Sequence, residues 1–284
     1  MANPKIALQL MTVKEYVREH GIIKTLEQLS RLGLHYVEMS QIPISDQLIE
    51  DMRAAEEEYG IKLISYTGIY EKFFKDQVGE IFEDSFEQIV KYAHRLGAPY
   101  IRTAMMPRSC LFGNESIVKA ARGLNEYGRR FRAEGLKLYY HMHHIEYMKV
   151  EGRPLVDYLL ENTDPENLGF EIDTHWALRG GQNPLAWMER MASQGRGELL
   201  HLKEYCLHVN DPENIQREIF ETSVRFGEIG EGNVDFPSVL NTAAELGVKY
   251  AVIEQDQTYE KAPLESVALS IKNLKAMGFE ANFE

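Results

Sequence analysis

The chain has 284 residues, with 31 Lys plus Arg against 44 Asp plus Glu and a formal net charge of −13 with histidines neutral. Its longest basic run is Arg129-Arg130-Phe131-Arg132, too little to displace the counterions of a phosphate backbone, so nucleic acid is excluded as an expected partner. Hydrophobic residues at 44% and charged residues at 26% exclude disorder as the main state. No stretch reaches the ~20 apolar residues of a membrane helix, and MANPKIALQLMTVKEY meets Glu15 before any secretory pattern, so no membrane partner and a cytoplasmic location are expected.

In chain order, KIALQLM (5–11) reads as an opening strand. One phrase then recurs: a helical stretch, Gly or Asn, a polar residue or two, and a short apolar run. It appears as LGLHYVEM (32–39), YGIKLISY (59–66), LGAPYIRT (96–103), EGLKLYYH (134–141), ENLGFEID (166–173), RGELLHLK (196–203) and LGVKYAVI (246–253). Gly takes the left-handed conformation that ends a helix, and the apolar run is a buried parallel strand. Amphipathic helices are predicted near 16–32, 46–59, 80–96, 115–134, 154–161, 184–193, 236–246 and 263–277. Eight strands alternating with eight helices give an α/β fold, a single (β/α)8 TIM barrel spanning 1–284, near the ~250 residues typical of that fold. An open doubly wound sheet would carry GxGxxG after the first strand; LMTVKEY there has no glycine. The two cysteines, Cys110 and Cys206, fall in stretches that read as surface loops, and no CxxC spacing is present. An extended loop at about 206–235 is expected to cover the active face, with GEIGEGNVDF (227–236) a tight turn into a helix capped by Asp235.

In a barrel of this kind, chemistry sits at the C-terminal ends of the strands. The fifth strand ends in YYHMHHIEY, the sixth in FEIDTHW, the seventh in LLHLKEY and the eighth in VIEQDQ. Five of the nine histidines, His141, His143, His144, His175 and His201, lie at these tips. Strand alternation puts His141 with His143, Asp173 with His175, His201 with Lys203, and Glu254 with Asp256 on shared faces. Burying so many ionisable groups costs several kcal/mol per unpaired charge, which a divalent cation would offset. The expected ligands are Glu146, Asp173, His201 and Glu254, an oxygen-rich set suiting Mn2+ first, with Mg2+ or Co2+ as alternatives. Each residue alone has a structural reading: a lone strand-end histidine is ordinarily hydrogen-bonded in place, and Glu254 with Lys203 is ordinarily an ion pair. Glu38 and Arg102 are equally read as substrate ligands or as an ion pair in the barrel mouth, and Trp176 as a sugar platform or a core cover.

The segments YHMHHIEY, IDTHWALRGG, HLKEY, GEGNVDF and VIEQDQ, in that order, resemble the xylose isomerase-like TIM-barrel superfamily. The likeness is greatest to the sugar phosphate isomerase/epimerase group whose fifth strand carries Tyr-His-x-His followed by Glu. It implies a metal on Asp173, His201 and Glu254, with either Glu146 or His141 as the fourth ligand. Where ketose epimerases place a glutamate on the fifth strand, this chain has His141, so His141 or His143 is expected to take over acid/base work. The group's relatives include inosose dehydratases and enzymes that cleave 3-oxo-glycosides.

The resulting expectation is a sugar isomerase or epimerase that removes a proton beside a carbonyl, with a lyase or dehydratase as the alternative. His141, His143, Glu254 and Lys203 carry the catalytic roles, and Glu38, Arg102, His175, Trp176 and Asp256 contact substrate. A small carbohydrate is the expected partner; assembly into a homo-oligomer or with a partner subunit stays open. A phosphodiesterase and a non-catalytic sugar-binding subunit are the remaining readings, the first opposed by the −13 charge.

Overall fold

The computed structural model describes residues 2–214, 216 and 222–284. Eight parallel strands close into a barrel: β1 Lys5–Gln9, β2 Tyr36–Met39, β3 Lys62–Thr67, β4 Tyr100–Ala104, β5 Lys137–His141, β6 Gly169–Asp173, β7 Leu199–Leu202 and β8 Tyr250–Ile253. Each strand pairs with its sequence neighbours, and β1 closes on β8 from Lys5 opposite Tyr250 to Leu8 opposite Ile253. The fold expected from the repeated phrase is the fold observed. The phrases at 32–39, 59–66, 96–103, 134–141 and 246–253 begin with a glycine at positive φ, so those strands are shorter than the phrases that announce them. Gly60, Gly97 and Gly247 end their helices with φ between 65° and 76°, the left-handed geometry that the phrase requires.

Helices Asp46–Tyr59, Phe82–Leu96, Asn114–Ala133, Leu155–Glu161, Pro184–Ala192, Phe236–Leu246 and Pro263–Ala276 lie within two residues of their predicted bounds. The first predicted helix divides into Lys14–His20 and Ile22–Arg31, because Gly21 at φ 80° leaves the helical region between them. A short helix, Thr174–Arg179, begins directly at the end of β6 and has no counterpart in the sequence prediction. Cys110 is a correction: it lies fully buried in the 3-10 turn Arg108–Leu111 and joins the core between barrel and helices, while Cys206 is half-buried. Within the extended loop, Cys206–His208 pairs antiparallel with Ser223–Arg225; residues 215 and 217–221 lie outside the described residues.

Side chains alternate inward along each strand and fill the barrel in tiers. At the N-terminal end Tyr100, Tyr139 and Leu199 are buried, with Tyr250 packed on them. Above them sit Ala7, Ile64 and Val252. Still higher the interior becomes polar: Gln9, Glu38, Arg102, Glu171 and His201 are all buried. Among the described residues, no helix is long and apolar enough to cross a membrane.

Candidate active site

Two residues further along the same strands, the C-terminal mouth opens into a cavity of about 360 Å³ whose lining includes Arg102, His141, His143, Lys203, Glu254 and Asp256. Four ligand atoms, one each from His141, Asp173, His201 and Glu254, lie within 4.8 Å of one another, and all four residues are buried. Each comes from the end of one of the four consecutive strands β5 to β8, so barrel closure itself assembles them.

Asp173 is divided between two tasks. Its Oδ1 accepts from the Trp176 amide at 2.8 Å and caps helix Thr174–Arg179. Its Oδ2 is buried with no hydrogen-bond partner, 3.9 Å from His141 Nε2, 3.8 Å from His201 Nδ1 and 3.4 Å from Lys203 Nζ. Burial raises the Asp173 carboxyl to about 6, with Lys203 opposing the shift. An orphaned carboxylate oxygen facing two imidazoles is a donor set that fits a divalent cation.

Of the four, His201 spans two tiers: Nδ1 lies 2.9 Å from Glu254 Oε2, and Nε2 lies 2.8 Å from Glu38 Oε1 and 3.2 Å from Glu171 Oε2. Burial disfavours a charge on His201, but Glu171, Glu254 and Glu38 outweigh it and push its pKa well up. His141 has no such balance; burial, followed by Arg102, holds it well below the usual imidazole range. Lys203 Nζ contacts Glu254 at 2.5 Å and both oxygens of Asp256 at 3.0 and 3.1 Å. Burial works against that ammonium, but Asp173, Glu254 and Asp256 more than compensate and keep it charged.

The remaining predicted residues are placed as follows. Glu38 and Arg102 form the buried ion pair, 3.2 Å apart, that was one of their two readings, although Arg102 also lines the cavity. Glu146 is not brought into the quartet. Its carboxylate accepts from Tyr140 Oη at 2.6 Å and from the His143 amide at 2.7 Å, which turns it away into the wall, and burial raises it to about 7. His141 stands in the quartet instead, because it is the last residue of β5 and on the inward face. His143 lines the cavity with Nδ1 unpartnered. His175 turns to the Glu204 carbonyl at 2.7 Å and stacks on Phe226. Trp176 packs on His144 and lies 5.1 Å from Lys203 Nζ.

Two acids at the strand tips, Glu171 and Glu204, have no role assigned from the sequence. Glu171 sits one inward step below Asp173 and touches Arg102, His141 and His201; the i, i+2 spacing in FEID was the signal for it. Glu204 is buried and accepts from the amides of Tyr205, Gly230 and Val234 at 2.8 to 3.0 Å, fastening GEIGEGNVDF beside the mouth. A Cβ on Gly232 would lie 2.6 Å from that carboxylate, so the backbone must come this close. Asp235 does cap the following helix, through the Ser238 amide at 3.1 Å.

Residues 26–277 match the family described as Xylose isomerase-like TIM barrel. This chain belongs to that family. The barrel is 26% identical over 291 residues to an inosose dehydratase of Geobacillus kaustophilus, covering 89% of this chain and 88% of that protein. In structure it is similar to a sugar phosphate isomerase/epimerase of Parabacteroides distasonis, with TM-score 0.74, 22% identity and coverage of 98% and 96%. It is also similar to the IolI protein solved with a bound zinc atom, with TM-score 0.67, 15% identity and coverage of 96% and 97%. By name, the first of these proteins is a dehydratase and the second an isomerase/epimerase of sugar phosphates.

Proposed function

We propose that this xylose isomerase-like barrel is a divalent-metal-dependent enzyme that removes a proton from the carbon beside a carbonyl of a keto-carbohydrate. The observation that carries the reading is the quartet His141, Asp173, His201 and Glu254, with its orphaned Asp173 Oδ2, beside a cavity that His141 and Glu254 line and that is large enough for a small ligand. A cation held there supplies Lewis-acid polarisation of a substrate oxygen. Two imidazoles with two carboxylates form a less oxygen-rich set than the one expected from sequence, which favours zinc or manganese over magnesium. Zinc is the ion in the IolI neighbour.

The chain's own residues supply the rest. His143 lines the cavity, its buried Nδ1 has no partner, and burial holds its pKa well below the usual range, so it is neutral and has a lone pair to offer the proton. Lys203, kept charged by the carboxylates around it, donates to the oxygen on which negative charge grows. Asp256 holds that ammonium at the cavity wall. Arg102 reaches the cavity from β4 to bind a hydroxyl.

Two outcomes share this first step. The dehydratase relative, matched along nearly its whole length, favours elimination: the C–H electrons form the C=C bond, and the hydroxyl one carbon further on leaves as water with the proton that His143 took up. Reprotonation at the same or the neighbouring carbon instead gives epimerisation or isomerisation. The metal-loaded protein, incubated in D2O with aldoses, ketoses, inosose and 3-oxo-glycosides and read by mass spectrometry and NMR, separates them. Loss of 18 mass units reports elimination, and deuterium gained without that loss reports isomerisation or epimerisation. No exchange and no loss with any substrate, or turnover unchanged after chelation with the fold intact, overturns the proposal.

A further inference from the structure

Glu171 contributes nothing to the cavity wall, yet it is fully buried at the centre of the polar tier. Its Oε2 lies 3.1 Å from His141 Nδ1, 3.2 Å from His201 Nε2 and 2.7 Å from Arg102 Nε. In both histidines the nitrogen facing Glu171 is the one turned away from the quartet: His141 points Nε2 at Asp173, and His201 points Nδ1 at Asp173 and Glu254. A carboxylate accepts hydrogen bonds and donates none, so both facing nitrogens must carry the proton. His141 Nε2, 3.9 Å from Asp173 Oδ2, is then left as a lone-pair donor, whereas His201 Nδ1, 2.9 Å from Glu254 Oε2, carries a proton as well until a cation takes its place.

We infer that Glu171 is the positioning residue of the metal centre, fixing His141 as its Nδ1–H tautomer and His201 as its Nε2–H tautomer so that His141 Nε2 and His201 Nδ1 bind the cation. The inference rests on the metal-centre reading above. One carboxylate serves both imidazoles because β6 lies between β5 and β7, and because Glu171 is one inward step below Asp173. Register places Glu171 directly opposite His141 and Asp173 directly opposite His201. Arg102 supplies the opposing charge without displacing either histidine. Glu38 shares His201 Nε2, but its other polar partners are Gln9 and Arg102 rather than His141, so it does not duplicate the role.

The test uses Glu171→Gln in the full chain. The amide keeps the side chain's size and leaves Arg102 paired with Glu38 at 3.2 Å, so the barrel is expected to fold. It has a single acceptor oxygen, and its NH2 opposes one imidazole N–H, so a histidine must flip or change tautomer. Calorimetric titration with Mn2+ alone and with Zn2+ alone is expected to show a 10- to 100-fold weaker affinity than the native protein. The visible spectrum of the Co2+-loaded variant is expected to change in position or intensity. Affinity within twofold of native together with an unchanged Co2+ spectrum overturns the inference. The metal-free native protein gives an independent reading: 15N shifts of His141 must report Nδ1 protonated, and an Nε2–H tautomer overturns the inference even if Glu171→Gln does not fold. A native protein that binds no metal sinks the metal centre itself, and with it the role of Glu171 toward a cation.

Discussion

The two ends of the barrel are built from the same eight strands, yet they treat buried polar groups in opposite ways. At the N-terminal end Tyr100 Oη donates to Glu198 at 2.7 Å, Lys137 and Lys249 meet the same carboxylate at 2.8 and 3.0 Å, and Tyr139 Oη accepts the Glu198 amide at 3.2 Å. The aromatic rings there close edge to face, Tyr100 on Tyr139 at 5.2 Å and on Tyr250 at 6.3 Å. The Glu198 carboxylate at that end has its partners, and the buried unpartnered atoms near it, Asn167 Oδ1 and Arg196 Nε, are not carboxylate oxygens. At the mouth, Glu38 Oε2, Glu171 Oε1 and Asp173 Oδ2 are buried without a hydrogen-bond partner. Leaving such atoms unmade costs about 1–3 kcal/mol each in a closed interior, so their concentration at one end marks where the fold gives up stability for a ligand. The contrast separates residues that hold the barrel from residues that use it.

The largest effect should come from breaking the mouth alone. Asp173→Asn keeps a cap acceptor for Trp176 but removes the charge from the quartet, and metal affinity is expected to fall at least ~100-fold, about 2.7 kcal/mol. Calorimetric titration measures it, with thermal unfolding of the metal-free variant expected near native. If that variant unfolds several degrees lower without metal, Asp173 belongs to the scaffold and the contrast between the ends weakens.

Not every acid at the mouth belongs to the centre, and Glu146 sharpens that point. Its carboxyl is raised from 4.5 to about 7 by burial, so the folded state holds a proton that the unfolded chain releases. The sign follows: the stabilising contribution is complete below pH 4.5 and is lost as pH rises through 7. Unfolding free energy of the metal-free protein is expected to drop by on the order of 2–3 kcal/mol from pH 5 to 8. In Glu146→Gln this component is expected to flatten, while metal affinity stays within about threefold of native. Denaturant melts across pH measure the first, titration the second. A large loss of affinity would return Glu146 to the ligand set in place of His141.

This pair of carboxylates shows how far sequence reading reaches. Asp173, His201 and Glu254 were legible because period-two alternation fixes the face of a strand residue, and barrel closure then brings the inward faces together. Glu171 obeys the same rule, but two acids on one inward face of FEID carry no sequence signal for which of them reaches the quartet and which stands below it. Glu146 lies beyond the strand, in the 3-10 turn His144–Tyr147, where its direction is set by the Tyr140 hydroxyl and the His143 amide. No periodicity governs such a turn, so a ligand and a wall residue look alike in sequence. Cys110 was misplaced for a related reason: its 3-10 turn is folded down onto the core, and composition alone does not reveal that.

The floor can be disturbed on a strand that also feeds the mouth. A Cβ on Gly169 would lie 2.3 Å from the Tyr139 ring, four residues below Asp173 on β6. Gly169→Ala must push that ring aside, which is expected to cost ~1–3 kcal/mol of stability. Equilibrium denaturation checks the loss, and metal titration is expected to remain within a few-fold of native. A loss of affinity as large as that of Asp173→Asn would mean that strain travels up β6 and that the tiers are not independent.

The smallest effect should come from removing one redundant bond at the floor. Tyr100→Phe deletes the donor to Glu198 but keeps the ring that packs on Tyr139 and Tyr250. Glu198 keeps Lys137 and Lys249, so no buried charge is left without a partner, and the cost is expected near 1 kcal/mol by denaturant unfolding. The same atom count removed at the mouth has no such reserve, because Glu38 Oε2, Glu171 Oε1 and Asp173 Oδ2 have no hydrogen-bond partner there. A cost at Tyr100 several times larger would show that the floor, too, balances its charges narrowly.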